Sequence, residues 1–168
     1  MKILVTGTPG TGKTLISKEL GKILKLKVIN EKDFALKNKL GCFNDENELE
    51  IPILPLQKKA NTFLLKNKNL IFEGHVFSET KLKVDVVILL KINPEELEQR
   101  LEGRRYSPEK IMDNVFCEGI DYCLKHLKKN YSKNKIITIN SNPNFKFTLA
   151  NILVELNKKG FLGAKSKI

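Results

Sequence analysis

Cysteine and the bulky aromatic tryptophan contribute little to this chain, which has three cysteines and no tryptophan among its 168 residues. Cys42, Cys117 and Cys123 are odd in number and scattered, and they form no Cys-x-x-Cys pair. This pattern disfavours both a disulfide framework and a zinc site. Since disulfides are not indicated, a reducing, cytoplasmic location is the expectation.

Long apolar runs are also missing. No stretch approaches the ~20 residues that cross a bilayer, and the first residues have the pattern of a strand rather than of a signal peptide. We therefore expect no membrane partner. With 41% hydrophobic and 29% charged residues, the chain fits a single domain, residues 1–168, that buries its own core.

Arginine is scarce, although the chain is strongly basic. The formal net charge is +11, and only Arg100, Arg104 and Arg105 of the 30 basic residues are arginines. Such a charge suits a nucleic acid or a ribonucleoprotein as a neighbour. It also fits dispersed lysines on a solvated surface with a nucleotide as the anionic ligand, and both interpretations stay open.

The three arginines stand together within seven residues. A guanidinium group binds phosphate through two parallel hydrogen bonds, which lysine cannot do. Phosphoryl transfer needs such groups on the migrating charge, in a site that excludes water. We therefore predict that Arg100 and Arg104 are catalytic, with a solvated helix end as the alternative.

Residues 7–14 have the most informative pattern, Gly-Thr-Pro-Gly-Thr-Gly-Lys-Thr, which fits the phosphate-binding loop G-x-x-x-x-G-K-[ST] at every fixed position. A short apolar run precedes the loop, and apolar residues at helical spacing follow it. The glycines let backbone N–H groups surround a polyphosphate at a helix N-terminus. Lys13 is predicted to reach the β- and γ-phosphates of ATP, and the Thr14 hydroxyl to ligate Mg²⁺. The predicted ATP-binding residues are Gly7, Gly10, Thr11, Gly12, Lys13, Thr14, Leu15 and Arg104.

Strand and helix patterns alternate along the chain. Strands are predicted at residues 2–6, 26–29, 70–72, 85–91 and 135–139. The helices between them include one around 33–40, one from 107 or 108 to 129, and one over 146–158, whereas 41–50 is expected to be a mobile loop and 160–168 a frayed basic tail. The alternation predicts an α/β fold, a five-stranded parallel sheet with helices on both faces, and a phosphate site at the carboxyl end of the first strand.

Two kinds of nucleotide protein fit the sequence poorly. A Ras-type GTPase would offer Asn-Lys-x-Asp, but no aspartate stands two places after Lys68, and motor ATPases usually need larger domains. An early phosphate loop, an insert between the second and third strands, and a basic segment before the last strand resemble the P-loop nucleoside monophosphate kinases.

More narrowly, the chain from Met1 to about Leu124 resembles the small adenylate kinase-like ATPases linked to ribosome maturation, whose eukaryotic members are called the nuclear, coilin-interacting adenylate kinase. The family's lid pattern, Arg-Leu-x-x-Arg-Gly-Tyr, corresponds to residues 100–106, followed by Lys110 and by Asp-Asn-Val-x-x-Glu at 113–118. The acid-x-His motif corresponds to Glu73-Gly74-His75. The chain departs from the family in three places: Arg105 replaces a glycine, Leu36 or Lys37 stands where the family has arginine, and Pro-Leu-Gln-Lys-Lys at 55–59 stands where the family often has an acidic stretch.

The resemblance implies an Mg²⁺-dependent transfer from ATP to AMP, with residues of about 30–53 binding the monophosphate and residues of about 100–113 acting as the lid. Asp33 stands where such kinases position the acceptor, although a helix cap or first-turn acid is an equal alternative. Lys37 could hold the AMP phosphate as a point charge.

The resemblance also implies ATP hydrolysis and a role in rRNA maturation of the small ribosomal subunit, with a small-subunit ribosomal protein as partner and contact with ribosomal RNA. Glu73 would order Mg²⁺ through water or position an attacking water, and His75 would act in hydrolysis. A surface acid and a structural histidine are the alternatives at these two positions. The alternative function is a nucleotide-gated ribosome assembly factor in which ATP turnover is only a timer.

Overall fold

The computed structural model describes residues 1–45, 47–104 and 106–162. The strands are β1 (Lys2–Thr6), β2 (Lys27–Asn30), β3 (Cys42–Phe43), β4 (Leu49–Glu50), β5 (Leu70–Glu73), β6 (Val86–Lys91) and β7 (Ile136–Asn140). The helices are α1 (Lys13–Leu24), α2 (Glu31–Lys37), α3 (Ile53–Lys66), α4 (Pro94–Glu102), α5 (Pro108–Gly119), α6 (Tyr122–Asn130) and α7 (Phe145–Lys158). Short 3₁₀ turns lie at Val76–Glu79 and Lys133–Lys135.

Five parallel strands form the central sheet in the order β2-β5-β1-β6-β7. Leu4 of β1 is in register with Phe72 of β5 on one side and with Val87 of β6 on the other. The prediction of a five-stranded parallel sheet between helices is confirmed. Because β1 and β5 are neighbours, the loop after β1 and the Glu73 end of β5 meet at the carboxyl edge of the sheet, where such folds bind ligands.

Alternate residues of the strands face two separate cores. On one face, Ile3 and Val5 pack with Ile16 and Leu20 of α1 and with apolar residues of α7. On the other face, Leu4 and Phe72 pack with apolar residues of α2, α3 and α6. In β1, every side chain after Lys2 is fully buried. Both faces of the sheet are therefore covered, and this explains why the strand sequences are almost continuously apolar.

A third, smaller cluster lies beyond the edge of the sheet. It joins α4 to α5 through buried residues, and Tyr106 packs against it from the connecting segment. The predicted lid at residues 100–113 therefore consists of the end of α4, this connection and the start of α5. The members of the cluster are Ile92, Leu97, Leu101 and Ile111.

The prediction of one long helix to residue 129 is wrong. α5 ends at Gly119, and α6 starts after Asp121, which has a φ of 58° and a carboxylate that pairs with the Lys91 ammonium. Aspartate tolerates this left-handed conformation better than most residues, and the ion pair holds it in place. Helical periodicity continues across the break, so periodicity alone could not show it.

The segment predicted as a mobile loop contains the β3–β4 hairpin, in which Phe43 pairs with Leu49. Glu48 N donates to Asn44 Oδ1 at 2.9 Å, which closes the turn. α2 also begins earlier than predicted, because the Asn30 side chain accepts hydrogen bonds from Lys32 N and Asp33 N and caps the helix. Asp33 is therefore an exposed first-turn acid.

The predicted basic tail at 160–168 is described only to Leu162. Gly160 has a φ of 74° after the end of α7, and Phe161 and Leu162 pack against the core on the α1 and α7 side. Residues 163–168 lie outside the described part of the chain, so the predicted fraying there stays a prediction.

Candidate active site

The phosphate-binding loop lies between β1 and α1 and has an unusual backbone. Gly7, Gly10 and Gly12 have φ values of 144°, 97° and 92°, a region that side chains disfavour. A Cβ atom on Gly7 would lie 2.3 Å from the carbonyl oxygen of Leu90. Glycine is thus required at position 7 both by its φ and by the close passage of β6.

Lys13 lies inside this loop and is only 9% exposed. Its Nζ donates to the carbonyl oxygens of Gly7 at 2.8 Å and Thr8 at 3.0 Å. Desolvation lowers the pKa of the ammonium, while the carboxylates of Glu31, Glu73 and Glu118 act in the opposite direction. A buried cation surrounded by acids beside a loop of backbone N–H groups is a suitable partner for a polyphosphate.

Thr14 and Glu73 meet at the end of the loop. The Thr14 hydroxyl lies 3.2 and 3.4 Å from the two carboxylate oxygens of Glu73, and Asn30 Nδ2 donates to the same carboxylate at 2.6 Å. Glu73 is 2% exposed. A hydroxyl and a carboxylate are the donors that Mg²⁺ takes, directly or through water, so this pair fits the metal that accompanies a nucleoside triphosphate.

The described residues contain no cluster of three His, Cys, Asp or Glu side chains that could hold a metal ion by themselves. The Thr14–Glu73 pair therefore fits a metal that arrives with a nucleotide, because Mg²⁺ commonly combines one or two protein ligands with phosphate oxygens and water.

Glu118, on α5, forms hydrogen bonds that hold the phosphate-binding loop in place. One of its oxygens accepts from Thr8 Oγ1 at 2.5 Å, and the other accepts from Ile92 N at 3.0 Å. The carboxylate is buried, so it ties the phosphate loop to the strand end of β6 and to the lid helix. Sequence reasoning named Glu118 only as the last residue of a family motif, and its position in an amphipathic helix gave no signal of this contact.

Glu31 is the second residue that sequence reasoning missed. It follows β2 directly and is 3% exposed. Its Oε2 accepts from Phe77 N at 2.7 Å, and its Oε1 lies 3.4 Å from His75 Nδ1. A Cβ on Gly74 would lie 2.3 Å from this side chain, so Glu31 requires glycine there. The sequence did contain one signal for Glu31, since it is an acid immediately after an apolar strand. Only the strand order, however, shows that Glu31 lies beside Glu73.

Burial raises the pKa of Glu31 to about 7, against the opposing effects of the Phe77 and Val76 N–H groups and of Lys13. For His75, whose ring keeps about half of its surface exposed, desolvation and then the Lys13 ammonium lower the pKa. At pH 7 the ring is therefore neutral, and its 3.4 Å approach to Glu31 is a polar contact rather than an ion pair.

This shift predicts how stability depends on pH. Glu31 takes up its proton more readily in the folded protein, so wild type loses free energy of unfolding as pH rises from 4.5 to about 7. Glutamine does not titrate. We expect the stability of Glu31→Gln relative to wild type to increase by on the order of 2 kcal/mol across this window and then to level off.

Urea denaturation between pH 4.5 and 8 checks this expectation, since both proteins share every other titrating group. Glu98→Gln, a substitution of an exposed acid on α4, should show a difference from wild type that hardly changes with pH. A flat pH dependence for Glu31→Gln as well would mean that Glu31 is ionised normally.

The two described arginines approach the loop from the lid side. Arg100 pairs with Glu96 at 2.6 Å, and its guanidinium lies 3.5 Å from the carbonyl oxygen of Gly10. Arg104 is exposed and lines the same cleft. Arg105, whose place a glycine takes in the family that the sequence resembles, lies outside the described residues.

A cleft of about 1180 Å³ connects these groups. Its floor is the phosphate loop with Glu73, one wall is the lid, and the other wall is formed by α2 and the β3–β4 hairpin. At its rim, an ion pair between Lys110 and Glu48 joins the lid helix to the hairpin. Lys32 lines the cleft, whereas Lys37, the residue predicted to hold an AMP phosphate, is exposed and does not.

A second cavity of about 520 Å³ adjoins the loop on the far side of Arg100. Leu15 lines both spaces, and Ser141 Oγ donates to the carbonyl oxygen of Thr11 at 2.8 Å to fix one wall. The walls also include Ile16, Gln99 and Phe145. This mixture of apolar and polar side chains next to a phosphate site suits a nucleotide base.

The sheet order, the loop and the cleft between the lid and the α2–hairpin wall define a P-loop protein of the nucleotide kinase type. A family model described as an AAA domain matches residues 3–121. Archaeal proteins named "Putative adenylate kinase" are similar to most of the chain. The protein from Methanocaldococcus jannaschii is 40% identical over 126 residues, 74% of this chain and 70% of that protein. The protein from Thermococcus kodakarensis is 39% identical over 144 residues, 85% and 79% of the two chains.

The chain therefore belongs to this family of adenylate kinase-like P-loop kinases. Solved structures give the same fold. A gluconokinase from Sinorhizobium meliloti superposes with a TM-score of 0.62 at 11% identity, covering 94% of this chain and 91% of that chain. A deoxyadenosine kinase from M. mycoides with bound dATP gives 0.61 at 20% identity, covering 94% and 100%. No helix among the described residues is long and apolar enough to span a membrane.

Proposed function

We propose that this protein is an Mg²⁺-dependent, adenylate kinase-like phosphotransferase that converts ATP and AMP to two molecules of ADP and also hydrolyses ATP. The observation that carries the proposal is the meeting of Lys13, Thr14 and Glu73 at the floor of a cleft that continues to α2. The names of the archaeal relatives support the choice of AMP as acceptor.

The loop and lid residues take complementary parts in this reaction. The phosphates of ATP would lie on residues 10–14, with the Lys13 ammonium on the β- and γ-phosphates, and the base in the smaller cavity. Arg100 and Arg104 would approach the transferred group from the lid, where charge is spread over the phosphoryl oxygens. Thr14 and Glu73 would hold Mg²⁺, which neutralises charge on the phosphate oxygens.

The test compares two reactions in one preparation. ADP formation from ATP plus AMP is measured beside ADP formation from ATP alone, with Mg²⁺ in both. We expect AMP to raise the rate clearly. If AMP does not raise it while ATP alone is hydrolysed, the kinase proposal is overturned and the ATPase remains.

A nucleotide-gated assembly factor for small ribosomal subunits is the second candidate. Its support is the net charge of +11 and the exposed side chains of Met112 and Phe116, 67% and 64% exposed on the lid helix α5. Lid closure on ATP would move this surface, so nucleotide state could switch a partner's affinity. Binding of small-subunit RNA or ribosomal protein that differs between the ATP and ADP states, with no stimulation by AMP, favours this function.

His75 separates hydrolysis from transfer. If the neutral ring orients an attacking water, His75→Ala should lower ATP hydrolysis by ~10-fold or more and leave transfer to AMP nearly unchanged, because a bound acceptor supplies its own nucleophile. Both rates and the melting temperature are measured. His126→Ala is the matched control, since this ring lies on α6 against Tyr122. An equal loss of both activities with a lowered melting temperature would indicate a structural role.

A further inference from the structure

The acceptor half of the cleft carries a buried acid that the transfer to AMP does not use. Glu31 lines the cleft at the end of β2, next to Glu73 on the neighbouring strand. Among the acids around Lys13, Glu31 has the largest effect on the pKa of that ammonium. Glu31 and Lys13 line the same cleft at the carboxyl edge of the sheet, where the γ-phosphoryl group would leave ATP.

The N–H groups of Phe77 and Val76 orient the carboxylate of Glu31, and Glu31 lines the cleft in which a ligand would bind. Oε2 is held by Phe77 N at 2.7 Å, and the Cα of Gly74 packs directly against the side chain. Oε1 has the half-exposed ring of His75 at 3.4 Å, a distance at the limit of a hydrogen bond. A hydroxyl group in the cleft could therefore reach Oε1 without disturbing the contact that fixes Oε2.

The charge of this half suits a neutral acceptor better than a phosphate. Glu31 and Glu48 both line it; Glu48 is paired with Lys110, so Glu31 is the carboxylate that would repel the phosphate of a monophosphate. The two described arginines, Arg100 and Arg104, belong to the lid side of the cleft. Lys32 is the lysine of α2 that lines the cleft, and its Nζ lies 5.9 Å from the ring centre of Phe43.

We propose that Glu31 is a general base and that the same cleft transfers the γ-phosphoryl group of ATP to the hydroxyl group of a neutral acceptor of nucleoside size. The partly buried Leu49 and Ile51 line the same cleft as Glu31 and give it apolar surface, which suits a flat ring. This second activity rests on the proposed ATP site and is independent of AMP as an acceptor.

In the reaction, the acceptor O–H bond breaks and its proton passes to Oε1 of Glu31. The acceptor oxygen forms a bond to the γ-phosphorus, the bond from the γ-phosphorus to the β–γ bridging oxygen breaks, and that oxygen keeps the electron pair in ADP. A hydroxyl needs this base because it is neutral, whereas the phosphate of AMP is already an anionic nucleophile.

The experiment follows transfer from radiolabelled ATP to adenosine, guanosine, cytidine and uridine, with ribose, AMP and water alone as comparison acceptors. We expect a labelled monophosphate from at least one nucleoside and little product from ribose. Glu31→Gln, which keeps the side-chain volume and an oxygen for Phe77 N, should lower this transfer by ~10²-fold or more. The same substitution should raise kcat/KM for AMP several-fold, because it removes a like charge.

Two controls define the result. Glu98→Gln, a substitution of an exposed acid on α4, should change neither activity, and thermal unfolding should show that Glu31→Gln is folded.

The proposal is overturned if wild type labels none of the nucleosides, if it labels ribose as well as any nucleoside, or if Glu31→Gln lowers the AMP and nucleoside rates equally. The proposed adenylate kinase function is tested by a different result: it is overturned if wild type does not phosphorylate AMP.

Discussion

Lys13→Ala is expected to lower the rate of phosphoryl transfer by ~10³-fold or more, because the ammonium stabilises charge on the β- and γ-phosphates in the transition state. The side chain is 9% exposed and held by two loop carbonyls, so it is already oriented in the loop. Steady-state kinetics with ATP and AMP give kcat and KM, and thermal unfolding confirms the fold.

Lys66→Ala is the matched control, because this lysine is exposed in the last turn of α3, away from the cleft. It should keep wild-type kinetics. A folded Lys13→Ala protein with near-normal kcat/KM would remove the phosphate loop from the active site, and the assignment of the cleft would fall with it.

Glu73→Gln is expected to lower kcat by ~10²-fold or more and to raise the Mg²⁺ concentration that gives half of the maximal rate. The physical reason is the loss of the negative charge beside Thr14, in a buried place where water cannot replace it. A glutamine of the same size keeps one oxygen for Asn30 Nδ2, so the fold should survive.

Titrations with Mg²⁺ at saturating ATP measure this effect. Glu50→Gln, on the exposed hairpin strand β4, should leave the Mg²⁺ dependence unchanged. If Glu73→Gln also shows an unchanged Mg²⁺ dependence, Glu73 only supports Asn30 and the β2 end, and the metal is held elsewhere.

These predictions bear on how the two proposed acceptors share one site. In the proposed reactions the phosphate loop, Thr14 and Glu73 would serve transfer to AMP, to a hydroxyl and to water alike, so their substitution should lower all three rates. Glu31 and His75 lie on the acceptor side, and their substitutions should separate the activities. A substitution that lowers one activity and spares another therefore acts on the acceptor side. A substitution that lowers all the activities together acts on the ATP site.

Much of the fold could be predicted from the sequence because local patterns are strong. The apolar runs of β1, β5 and β6 and the Asn-Pro start of α4 each contain their own signal. The break at Asp121 and the β3–β4 hairpin could not be predicted in this way. The break depends on an ion pair with Lys91, 30 residues away, and the hairpin strands are only two residues long.

The sequence by itself determined the phosphate loop, because the chemistry of that site lies in eight consecutive residues whose backbone and helix N-terminus form the binding groups. It also determined the parallel sheet, through five apolar strands separated by helices. Tertiary structure alone decided the partners of the loop. Glu118 reaches Thr8 across 110 residues of chain, and Glu31 comes beside Glu73 because β2 pairs with β5 rather than with β1. Strand order and helix docking create these contacts, and burial then changes the acidity of the groups that meet.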